Sequence, residues 1–77
     1  MSTKTAVTQE EIDAFSKEMK ARPVGDYMEE VAQDDHKIDV FFAAAKQAAK
    51  QGDIAAVLIT QGEEEFRARF REIRSES

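Results

Sequence analysis

His36 is the only histidine of this chain, and Asp34, Asp35 and Asp39 lie within three positions of it. An imidazole titrates near neutrality, so a carboxylate on the same helical face would form an acid–base couple, or two ligands of a divalent metal. Two ligands at one spacing fall short of the three or four donors that a metal motif needs. The same residues make an ordinary solvated first helical turn, in which Asp34 and Asp35 satisfy free N–H groups and the positive dipole end. That second reading is the one adopted. The remaining inventory is thin: no cysteine, serines only at 2, 16, 75 and 77, and three isolated glycines that cannot form a phosphate-cradling loop. No catalytic residue, cofactor site or metal site is assigned, and the chain is not expected to be an enzyme.

A second constellation lies at the C-terminal end. Phe66, Phe70 and Ile73 fall at i, i+4 and i+7, and Arg67, Arg71 and Arg74 repeat the same spacing. The arginines are the one phosphate-facing stripe available, yet they alternate with Glu63, Glu64, Glu65 and Glu72, which favours a salt-bridged solvent face. The three apolar residues read either as a surplus beyond a core that earlier elements already close or as residues that complete the monomer's own core, and the first reading is adopted. Phe66, Phe70, Ile73, Arg67, Arg71 and Arg74 are therefore the candidate partner-binding residues, matching an amphipathic helix that docks in another protein's groove or pairs with its own copy as a homodimer.

Composition narrows the classes. The 77 residues carry a net charge of −5, with 35% charged and 42% hydrophobic residues, which is one domain able to form a core. Nine acids against four bases concentrate the charge in residues 1–35. An acidic chain repels phosphate backbones, so neither nucleic acid nor a membrane is expected as a partner. Absence of cysteine fits a reducing, cytoplasmic setting, and no apolar run approaches the ~18 residues of a membrane span.

The elements that must position these residues follow from periodicity. Residues 1–7 read as a flexible tail before a capping box at Thr8 and Glu11, and Ile12, Phe15 and Met19 then make the stripe of a helix over about 9–21, stopped by Pro23. Gly25-Asp26 predicts a turn and a second N-cap for a short helix over about 26–33. Ile38, Phe41, Phe42, Ala45, Ala48 and Ala49 give the strongest stripe in the chain, ended by Gly52. Asp53 caps a fourth element whose Ile54, Val57 and Leu58 point to the core. The run 54–60 is read as helix rather than strand, because a lone strand has no pairing partner. Gly62 either ends that helix or lies within a longer one, and Ile59, Phe66, Phe70 and Ile73 form a near-heptad seam across it. A last helix reaches about Arg74, with 75–77 frayed.

The expected fold is all-α, a small single-domain bundle of four to five short helices. The function read from this is a small acidic cytoplasmic protein–protein interaction module: a regulator, inhibitor or accessory subunit of a kind that a mobile element or phage encodes. Two alternatives are a helix-turn-helix-like nucleic-acid-associated protein and a precursor or leader-type peptide recognised by a modifying enzyme.

Overall fold

The computed structural model describes residues 6–76. Within them the chain is all-α: α1 (Gln9–Ala21), α2 (Val24–Ala32), α3 (Asp35–Lys50), α4 (Ile54–Gln61) and α5 (Glu63–Glu76), with no strand. Residues 1–5 of the expected tail and Ser77 of the expected frayed end lie outside the described residues.

Local chemistry sets most boundaries. The Thr8 hydroxyl accepts from the Glu11 N–H, and the Glu11 carboxylate accepts from the Thr8 N–H, a complete capping box. Asp34 caps α3 through the His36 N–H at 2.9 Å. One expectation fails at α2. The helix begins at Val24 rather than near 26, its N-cap is Pro23, and Asp26 sits in the first turn instead of capping. Pro23 already has the extended geometry (φ −61°, ψ 149°) from which a helix can start at the next residue, and Asp26 then meets the dipole end.

The joint between α3 and α4 is tight. Gly52 takes φ +92°, the Gly52 N–H donates to the Ala49 carbonyl and the Asp53 N–H to the Ala48 carbonyl. This paired closure needs a left-handed residue at Gly52. Asp53 immediately caps α4 through the Ala56 N–H at 3.2 Å. Gly62 ends α4, and α5 starts at the next residue.

The core is organised around one ring. Phe41, with no exposed surface, has its ring centroid 5.1–6.4 Å from those of Phe15, Tyr27, Phe42, Phe66 and Phe70, the remaining aromatic residues of the chain. Edge-to-face contacts dominate, the geometry that the ring quadrupole favours. Through this ring α1, α2 and α5 are gathered onto the first half of α3. The second half of α3, where Ala44 and Ala45 are buried, receives α4.

Candidate docking face

The C-terminal stripe belongs to the core. Phe70 is 1% exposed, and Phe66 and Ile73 pack half-buried against the central cluster. They are therefore not a surplus, and the expectation that these three residues stand free for a partner is corrected. The expected seam through Ile59 holds, since Ile59 packs on the same cluster. Arg67 spreads over the Phe42 ring at 4.6 Å and donates to Glu63 at 2.9 Å. Arg74 donates to the Ala32 carbonyl at 2.8 Å and to Asp35 at 2.9 Å, tying α5 to the joint between α2 and α3. Arg71 is exposed beside them, at a shallow hollow of about 210 Å³. Two of the three arginines are thus engaged by carboxylates, as a salt-bridged face requires.

His36 meets a partner that spacing did not reveal. Its Nε2 lies 2.5 Å from the carboxylate of Glu11 on α1, 25 residues away, rather than pairing with Asp35 or Asp39. That hydrogen bond raises the imidazole pKa and lowers that of Glu11. The pair clasps the starts of α1 and α3, and Glu11 serves the capping box as well. Among the described residues no group of three His, Cys, Asp or Glu side chains converges as a metal site would require.

The unexpected feature is α4. Ala56 is buried and Ile59 packs on the core, while Ile54 is 76% and Leu58 62% exposed. Ile54 and Leu58 were expected inside, and they lie outside. With about 100° of rotation per residue, Ile54 and Leu58 share one face while Ala56 and Ile59 take the opposite one. Small side chains win the buried position, because Ala56 lets α4 lie close against an alanine-bearing stretch of α3. No charged residue occurs from Ile54 to Gly62.

Leu58 also borders an open groove of about 770 Å³ between α1 and α4. Met19, Tyr27, Ala48, Ile59 and Phe66 give it apolar surface, and Lys17 and Lys20 stand on the α1 side. Burial raises the pKa of Tyr27, whose ring also lies 5.9 Å from the Arg22 guanidinium. No described helix is long and apolar enough to cross a membrane. Comparison with known proteins finds no matching family model, no similar curated protein and no similar solved structure.

Proposed function

We propose that this chain is a small acidic protein–protein interaction module, a regulator, inhibitor or accessory subunit working in the cytoplasm, and that it acts by presenting α4. The observation that carries the reading is the pair Ile54 and Leu58, both solvent-exposed on a helix without a single charge. A helix apolar all round is one that a larger assembly buries, because an isolated surface helix keeps a polar face. The pairing of Arg67 and Arg74 with carboxylates weighs against nucleic acid as the partner.

The test is affinity purification of the tagged full chain from its native cells beside the variant Ile54→Lys/Leu58→Glu, with mass spectrometry and circular dichroism on both. A dominant protein captured by the parent and lost by an equally helical variant supports the proposal. Equal capture by both, or capture of salt-resistant nucleic acid alone, refutes it.

A further inference from the structure

We infer that the groove between α1 and α4 takes a short amphipathic helix of a partner protein, one that carries acidic residues beside its apolar anchors. The inference deepens the protein-interaction reading and rests on it. Charge decides the occupant. Of the acids bordering the groove, Asp13 accepts hydrogen bonds from Gln9 and Gln47, and Asp53 caps α4. Arg22 is held by Glu18 at 2.6 Å and by Glu30 at 3.8 Å. Lys17 and Lys20 have no ion-pair partner among the described residues. The groove lining thus carries three cations, Lys17, Lys20 and Arg22, against two carboxylates, Asp13 and Asp53, and the two lysines are the cations without an ion pair.

Shape favours a helix. The apolar surface lies between two helical walls, the arrangement into which an amphipathic helix lays its i, i+3/i+4, i+7 side chains. Eight residues of α4 span about 12 Å, so two to three turns of occupant fill the length. Leu58 on the rim would meet the occupant's apolar stripe, and Lys17 and Lys20 its flanking carboxylates. A second copy of this chain is a poorer occupant. A two-fold contact through the groove brings like patches together and sets the lysines of one copy near those of the other.

The experiment selects binders of the full chain from a displayed library of random 16-residue peptides. The retained peptides are then measured by fluorescence anisotropy against the parent, Leu58→Glu and Lys17→Glu/Lys20→Glu, with circular dichroism confirming that each variant is folded. The expected result is a consensus rich in Asp and Glu with apolar residues at helical spacing. Affinity should fall at least tenfold with either variant, and it should weaken with salt for the parent. A basic or neutral consensus, affinities unmoved by both variants, or no retained peptide overturns the inference. Sedimentation of the parent as a dimer that Leu58→Glu dissociates overturns it in favour of a second copy. A native protein captured through Ile54 and Leu58 but indifferent to Lys17→Glu/Lys20→Glu leaves the interaction module standing and removes the acidic helix alone.

Discussion

α4 and α5 meet at Gly62, yet composition and burial run in opposite directions in them. α4 has no charged residue and leaves Ile54 and Leu58 in solvent; α5 has nine charged residues among 14 and buries Phe70. The difference lies in how apolar side chains are arranged around each axis. Phe66, Phe70 and Ile73 form one narrow stripe that meets the Phe41 ring, and the surrounding charges never have to enter the core. Apolar residues of α4 encircle the helix, so whichever face packs, the other is left over. A polar helix with a well-placed stripe belongs to the fold, and an apolar helix without a polar face points beyond it.

The sharpest way to break this contrast is truncation of the aromatic hub. Phe41→Ala should cost about 3–5 kcal/mol and Phe70→Ala a similar amount, because each removes a fully buried ring. That is comparable with the whole stability of a domain this small, so both variants should be largely unfolded in urea titrations followed by circular dichroism. A Phe70→Ala protein that melts like the parent would return α5 to the surface.

The attachment of α4 is tested at its joint. Gly52→Ala places a side chain at φ +92° where no neighbouring atom lies within 4 Å of the added carbon, so the cost is conformational alone. A loss of about 1 kcal/mol is expected, read as a fall in melting temperature of about 4–8 °C. An unchanged melting temperature would mean that the close packing of α4 on α3 does not depend on this turn.

Much of the architecture was legible in the residues themselves. The caps at Thr8, Asp34 and Asp53, the stop at Pro23, the turn at Gly52 and the stripe of α3 are local signals, and the structure follows them. Misreadings arose where two local rules competed or where the deciding partner was distant. Asp26 resembles a cap, but Pro23 starts the helix earlier. Ile54, Val57 and Leu58 share a helical stripe, but the orientation of α4 is set by Ala56 and by the turn before it, which hydrophobicity alone does not encode. The His36–Glu11 clasp spans 25 residues between two helix starts, beyond any spacing rule. The groove between α1 and α4 was illegible for the same reason, since it exists only once α1 and α4 are both laid on α3.

That clasp gives the contact between the starts of α1 and α3 a pH dependence. The raised His36 pKa makes its contribution complete below the ordinary imidazole value of 6.5 and lost as pH rises through the folded value. The lowered Glu11 pKa makes its contribution complete above the ordinary 4.5 and lost as pH falls through the folded value. The pair is therefore strongest between roughly pH 4.5 and 6.5. His36→Gln should lower the melting temperature more at pH 5.5 than at pH 8.5. An equal loss at both would show that the ring acts through packing and not through its charge.

The smallest effect on stability is expected where the apolar exposure is greatest. Ile54→Gln and Leu58→Gln remove side chains that are 76% and 62% exposed, so each should change stability by no more than about 0.5 kcal/mol. The comparator is Ile59→Ala on the same helix, whose side chain packs on the core. Truncating it deletes buried methylenes and should cost on the order of 2 kcal/mol. Parallel urea titrations of the three variants measure the two faces of α4 against each other. A loss at Leu58 as large as that at Ile59 would mean that the exposed face is held inside the folded unit in solution, and α4 would then have no free face to offer a partner.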